Sequence, residues 1–249
     1  PHMFFIQDYE VRRTKHKGRS IHATADIPAG TIIGDYMGKI IRPEEEDEIG
    51  RGLYCMYYSE VATIEADKFA DGIHLVNHSC TPNCGMFTFE RHCLYYAMRK
   101  IFKGEEITIH YAISGPDEEC SPCTHKCVCD SPMCLGTMHL PAKVYAEWEA
   151  AFTKEEGDTP QKAPVKYGEQ LPLLASYPKS VNDLTHYPLF GSLQVPPAVL
   201  NVSTLPSIKE TRVLIRGTGR TIKIPKLHAV IEGIMNGRHI IRYVRTTHP

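Results

Sequence analysis

Along residues 4–40, short apolar runs alternate with turn signals. KHKGRS (15–20), DIPAG (26–30) and DYMGK (35–39) bracket stretches such as TII (31–33), a rhythm that predicts short strands joined by tight turns. LYYAM (94–98) and ITIHY (107–111) also read as strands. In the second, Ile107, Ile109 and Tyr111 alternate with Thr108 and His110, which gives one face to bury. The acidic run EEEDE (44–48) suits either the first turn of a helix or a solvated loop. Past Pro141 the period changes. Val144, Trp148 and Phe152 recur every four residues behind a proline suited to the first helical position, predicting one amphipathic helix over 141–153. Residues 154–172 are charged, carry three prolines and read as a linker. In the tail, RVLIRGTGRTIKIP (212–225) predicts a hairpin around Gly217 and Gly219. KLHAVIEGIMNG (226–237) predicts a short helix ending at Gly237, and RHIIRYV (238–244) a final strand.

Composition narrows the class. The chain has 249 residues, 42% hydrophobic and 23% charged, as in ordinary globular proteins. The opening PHM reads as a cloning remnant ahead of Met3. No apolar run is long enough to span a bilayer, and no leader-like pattern opens the chain, so the expectation is an intracellular protein with no membrane partner. Charge is unevenly spread. Residues 20–140 are net acidic, which suits a basic peptide, whereas residues 209–249 hold nine Lys/Arg against two acidic residues, which suits nucleic acid.

Nine cysteines are many for such a chain, and five of them fall within 120–134. Without a leader, metal binding is favoured over a disulfide framework. In Cys127-x-Cys129-x4-Cys134, residues two apart point the same way in an extended chain. The DSPM turn then returns Cys134 to that side, so three thiolates converge on one zinc. Cys120, Cys123, His125 or a cysteine elsewhere supplies the fourth ligand, and a closed, structural site is expected. NHSCTPNC (77–84) has three readings: a Cys/His nucleophile pair, a metal cluster, or a turn presenting its backbone to a ligand.

Taken in order, these segments resemble one family. HKGRSIHATADIPAGTIIGDYMGKIIR (16–42), GLYCMYY (52–58), NHSCTPNC, GEEITIHY (104–111) and CVCDSPMCLG (127–136) are together similar to the SET-domain protein lysine methyltransferases with a post-SET zinc motif. The resemblance covers about 4–140. It implies a mainly β fold: a β-clip of small curved sheets with a pseudoknot that brings 77–80 to 104–111. A post-SET zinc element and a C-terminal α+β extension would follow. The division expected is a SET domain over 4–115, the zinc element over 116–140, helix and linker over 141–172, and an accessory region over 173–249.

The same resemblance implies an S-adenosylmethionine-dependent protein lysine N-methyltransferase acting on a histone tail. The alternatives are a non-catalytic SET-like peptide- or chromatin-binding module, or an enzyme acting on a non-histone lysine. Tyr111 would be catalytic. Gly18, Arg19, Ser20, Tyr54, Asn77 and His78 would meet the cofactor, and Tyr36 and Ile109 would line the substrate channel. Cys80 would join Cys127, Cys129 and Cys134 on a structural zinc. Four positions depart from the family pattern: Ser20 replaces a glycine, His74 stands where an arginine is common, Leu75 stands where a phenylalanine is common, and Ile109 replaces an aromatic residue. The implied partners are a histone or other lysine-rich protein, with nucleic-acid or nucleosome contact through 209–249. The implied location in a eukaryote is nuclear chromatin.

Overall fold

A computed structural model describes residues 9–47, 54–59, 61–113, 115, 120, 123–131, 134–147, 150 and 166–184, and the backbone of three strands in the tail. Among them lie ten short strands of the body: β1 (Tyr9–Thr14), β2 (Gly18–Ala23), β3 (Ile32–Asp35), β4 (Lys39–Ile41), β5 (Cys55–Ser59), β6 (Ala62–Glu65), β7 (Asn77–His78), β8 (Cys84–Phe89), β9 (His92–Ala97) and β10 (Thr108–Ile109). β1 and β2 form a two-stranded ribbon. β3-β9-β8 and β4-β6-β5 are small antiparallel sheets, and β7 pairs with β10 in parallel. The fold is mainly β, as the turn-punctuated apolar runs predict.

The sheets share one core. Ile21, Ile33, Ile64, Tyr95 and Ile107, drawn from different sheets and loops, are all buried. Burying an aliphatic side chain of this size stabilises by about 1.5–3 kcal/mol, so these contacts, more than the short ladders, hold the sheets together. Both LYYAM and ITIHY supply strands, but β10 ends at Ile109. Thr108 is buried as well as Ile107 and Ile109, whereas Tyr111 is 40% accessible. The strict alternation fails because the chain leaves the strand at His110. Ala112 takes a left-handed φ of 52°, and its N–H donates to His110 Nδ1 at 2.9 Å. The acidic run forms a 3-10 turn, Pro43–Asp47.

Residues 166–172, expected to belong to a linker, and 173–184, expected in the accessory region, pair with the strands of the body. Ile40 N–H donates to Glu169 O, Leu171 N–H to Gly38 O, and Gly168 N–H to Ile40 O, which covers the open edge of β4. Further on, Ile32 N–H donates to Lys179 O and Val181 N–H to Gly30 O, covering the edge of β3. Leu171 and Val181 are buried in the body. The prolines of 154–172 suggested a solvated crossing, but the aliphatic residues around 171–184 find two unpaired strand edges to cover. The helix past Pro141 begins at residue 142, with Val144 45% exposed; Trp148 and Phe152 lie outside the described residues.

The tail holds β11 (Ile208–Leu214), β12 (Thr221–Met235) and β13 (Arg238–Arg245) in an antiparallel sheet ordered β11-β12-β13. The hairpin and final strand are found. The helix expected over 226–237 is not: the described residues of the tail are strands, and the helix of the region beyond the zinc element is the one that begins at residue 142. The segment's β-branched Val230, Ile231 and Ile234 favour a strand. β11 pairs with the first half of β12, from Thr221 to Leu227, and β13 with the second, from Leu227 to Met235, with a bulge between Ile231 and Gly233.

Candidate active site and metal centre

The β1–β2 turn forms one wall. Lys17 N–H donates to Thr14 Oγ1 at 3.0 Å, and Gly18 follows at φ +73°. Among the described residues a Cβ at Gly18 would meet nothing within 4 Å, so glycine serves the backbone conformation here and these residues leave the space beside it open. Arg19 reaches across to the 68–71 loop. Its guanidinium donates to Ala70 O at 3.1 Å and to Lys68 O, lies 3.6 Å from Asp71, and stands 5.9 Å from the Tyr54 ring. Ser20 is fully buried. Its Oγ pairs inward with Arg12 O and His22 Nε2, so its side chain belongs to the ribbon's inner face.

The two signature segments meet through β7 and β10, with Asn77 opposite Thr108 and His78 opposite Ile109. A two-residue ladder is weak by itself, and side chains reinforce it. Asn77 Nδ2 donates to Arg19 O at 3.0 Å and to Glu106 Oε1 at 3.1 Å, while Glu106 Oε2 takes Lys17 Nζ at 2.7 Å. Asn77 thereby ties the ribbon to β10. Fully buried Asn83 ties its own segment to 105–108: it donates to Glu106 O at 2.8 Å and Glu105 Oε1 at 3.2 Å, and accepts from Thr108 N at 2.9 Å. Arg99 pairs with the buried Glu105 carboxylate from the other side.

Tyr111 sits against this junction. Its N–H donates to His78 Nδ1 at 3.2 Å, and its hydroxyl donates to Val76 O at 3.0 Å. Desolvation by its surroundings pushes its pKa to about 12, although the residue as a whole is 40% accessible. Burial, then His110 and Lys17, lower His78 to about 4, so the ring is neutral and Nδ1 is free to accept. Ile109 is buried. Tyr36 is buried too, and donates its hydroxyl to Tyr54 O at 2.7 Å. Tyr54, half-buried, meets His74 edge-on at 5.2 Å. His74 Nε2 is buried and has no hydrogen-bond partner among the described residues. Desolvation, then Arg19, lower its pKa to about 4. An orphaned ring nitrogen beside Tyr54, Arg19 and the open face at Gly18 is what a wall completed by a polar ligand would show.

The thiols gather on the far side of His78. The sulfurs of Cys80, Cys127, Cys129 and Cys134 lie within 4.8 Å of one another. The Cys80–Cys127 separation is 3.6 Å, against about 3.8 Å for two sulfurs on a tetrahedral zinc. Leu135 N–H points at Cys80 Sγ and Gly136 N–H at Cys134 Sγ, both at 3.4 Å, as donors do to metal-bound thiolates. The residues fit a closed zinc site. Cys120, Cys123 and His125, offered by the sequence as rival fourth ligands, gather elsewhere. Cys80 Sγ also lies 3.5 Å from His78 Nε2, but its pKa is raised, chiefly by burial, which opposes the nucleophile reading.

Asn83, Glu105, Glu106 and Lys17 carry much of this geometry, and sequence reasoning assigned them no role. The only signal was the place of Asn83, Glu105 and Glu106 inside the two signatures, where a buried junction between short strands needs polar side chains to satisfy its backbone; Lys17 lies outside both.

Residues 18–112 match the SET domain family. Over 140 residues, 51% of this chain, the protein is 31% identical to histone-lysine N-methyltransferase trr of Drosophila melanogaster. It is 30% identical over 53% of its length to the H3 lysine-36 specific histone-lysine N-methyltransferase of Mycosarcoma maydis, and 29% identical over 49% to histone-lysine N-methyltransferase ATX2 of Arabidopsis thaliana. These stretches span 6%, 14% and 12% of the respective relatives. The pairing of 77–78 with 108–109 and the family match over the same residues agree, and residues 18–112 of the chain form a SET domain.

Proposed function

We propose that the protein is an S-adenosylmethionine-dependent protein lysine methyltransferase whose substrate is a histone tail. The observation that carries this is the junction at β7 and β10. It sets the Tyr111 hydroxyl beside Val76 O, and one residue on sets Asn77 against the Arg19 backbone and the open face at Gly18. The methyl donor, when bound, supplies an electrophilic methyl on a sulfonium. Gly18, Arg19, Tyr54, Asn77 and His78 are the residues to hold it; Ser20 contributes through its backbone, and His74 joins them. Tyr36 and Ile109 flank the lysine.

Tyr111 is protonated at neutral pH, so it does not abstract the amine's proton. It orients the reacting groups, with Val76 O as its fixed acceptor, and Val76 O becomes available to the amine if the hydroxyl turns. The substrate amine arrives neutral, favoured by a desolvated site. Its lone pair forms the new N–C bond as the C–S bond breaks, and the proton leaves the product afterwards. Placement does the work here rather than a strong base. Cys80, Cys127, Cys129 and Cys134 hold a zinc that braces His78, and through it the Tyr111 amide.

The acidic 20–140 body suits a Lys/Arg-rich peptide, and the relatives named above are histone enzymes by name. Nuclear chromatin is the location this implies. The basic 209–249 sheet, adding nine Lys/Arg, is proposed to contact nucleosomal DNA. The division into a SET domain over 4–115, a zinc element over 116–140 and a tail is retained, with 166–184 assigned to the body. Labelled methyl transfer to a histone mixture tests the reading. Activity in the wild type that Tyr111→Phe abolishes supports it. No transfer, with histone peptide still bound, would favour the non-catalytic module, and labelling confined to non-histone proteins of a cell extract would move the substrate.

A further inference from the structure

A second group of ligands lies beyond the four-cysteine site. Cys120 Sγ is 3.2 Å from His125 Nδ1 and 3.4 Å from His139 Nε2, and Cys123 Sγ is 3.4 Å from the same His139 nitrogen. All four ligand atoms fall within 4.8 Å of one another, and the two imidazoles stand edge-to-face with centroids 4.8 Å apart. Sulfur and nitrogen on one tetrahedral zinc are separated by about 3.6 Å, from bond lengths near 2.3 and 2.05 Å. The three S···N distances lie close to that value and join four side chains around one point, which pairwise S–H···N bonding does not require.

We propose that Cys120, Cys123, His125 and His139 bind a second zinc ion. The donors are two thiolates and two imidazoles, a set that selects zinc and leaves no open coordination position, so the site is structural. Cys120-x2-Cys123 supplies the paired thiolates. His139, which is buried, is placed by long-range pairing: Lys126 bridges Thr137, Met138 N–H donates to His125 O at 2.8 Å, and His139 N–H donates to Thr137 Oγ1. That rung also carries the first site, because Cys127 N–H donates to Gly136 O. The two ions thus sit at opposite ends of one short pairing. Apart from the ligands, 120–140 offers little buried apolar surface among the described residues, and small elements of this kind depend on metals.

The site has a consequence for Tyr111. Ile113 bridges His139 in parallel, and Leu140 N–H donates to Ile113 O at 2.9 Å. The second zinc therefore anchors the chain two residues past Tyr111, while the first braces it through Cys80 and His78.

The test uses the full chain purified without chelators. Elemental analysis is expected to give about two zinc ions per chain, and X-ray absorption at the zinc edge a mean shell of about three sulfurs and one nitrogen, the average of S4 and S2N2. One zinc with four sulfurs overturns the proposal, and that readout needs no variant to fold. Cys120→Ser/Cys123→Ser is expected to retain about one zinc with a pure sulfur shell and to raise amide exchange at Leu140 about tenfold. Retention of both ions in this variant, or a Cys120–Cys123 disulfide found by thiol counting in the native protein, also overturns it.

Discussion

Asn83→Ala removes the side chain that binds β10 to the NHSCTPNC turn. The residue is wholly buried and makes three hydrogen bonds: to Glu106 O, to Glu105 Oε1 and from Thr108 N. Glu105 keeps Arg99 and the Phe102 amide, so its loss is small. The Glu106 carbonyl and the Thr108 amide lose their side-chain partner in a dry setting. Each unsatisfied group costs about 1–3 kcal/mol, to which the cavity of the missing amide adds. The expected total is about 3–5 kcal/mol, a large share of the roughly 5–15 kcal/mol typical of a domain. With a urea slope of about 3 kcal/mol/M, the midpoint followed by far-UV circular dichroism drops by about 1–1.7 M, the slope unchanged. Amide exchange should accelerate first at Thr108 and at Ser79, whose N–H donates to Ile109 O. A shift worth under about 1 kcal/mol, or exchange that stays slow at both amides, would refute the view that Asn83 holds the two signatures together.

Gly18→Ala places a side chain at φ +73° with no clash, so the cost is backbone strain of about 1–2 kcal/mol; calorimetry reads it, and the Michaelis constant for the methyl donor should rise with it. His74 is held neutral in the fold with a pKa of about 4 against 6.5 unfolded. The unfolded chain therefore binds the extra proton between those values, and stability falls as pH drops from about 6.5 toward 4, by at most roughly 3 kcal/mol. In His74→Gln the pH dependence of urea stability over that window should be shallower, and an unchanged slope would rule His74 out as a contributor. Cys129→Ala is expected to lower zinc content by about one ion per chain and to destabilise the 127–136 loop, checked by elemental analysis and limited proteolysis. If the basic tail contacts DNA, affinity should fall steeply between 50 and 200 mM salt, and deleting 209–249 should flatten that dependence.

The elements legible in the sequence were those written in local chemistry. Turn residues at 15–20, 26–30 and 35–39 marked the strand boundaries, and Cys127-x-Cys129-x4-Cys134 marked a metal loop. The tail helix was misread because KLHAVIEGIM has the apolar content of either element, and its pairing with β13 decides for a strand. Residues 166–184 were read as partly linker because edge coverage is a property of the partner strands, not of the covering segment. Tyr111 was expected on a buried face, and the turn at Ala112 that frees it has no glycine to announce it. Ser20 was read as facing a ligand from its place in the family's glycine turn, and its hydroxyl proves to be satisfied within the ribbon.

The junction explains how strands of two residues can position chemistry at all. Two rungs of parallel ladder would fray if they stood alone. Here Asn77, Asn83 and Glu106 each bond across the pairing or beside it, and Lys17 brings the β1–β2 turn to the same carboxylate. Precision at Tyr111 then depends on side chains that reach backbone groups, and on neighbours fixed from both directions along the chain. Val76 O holds the hydroxyl, His78 holds the amide, and the strained Ala112 turns the chain away. Substitutions at Asn77, Asn83 and Glu106 should therefore be non-additive, because each removes support from the same two-rung pairing. Asn77→Ala and Glu106→Gln share a 3.1 Å contact, and a double-mutant cycle on that pair should give a coupling of about 1 kcal/mol or more. Strict additivity would mean that the ladder holds by itself and the polar residues only decorate it.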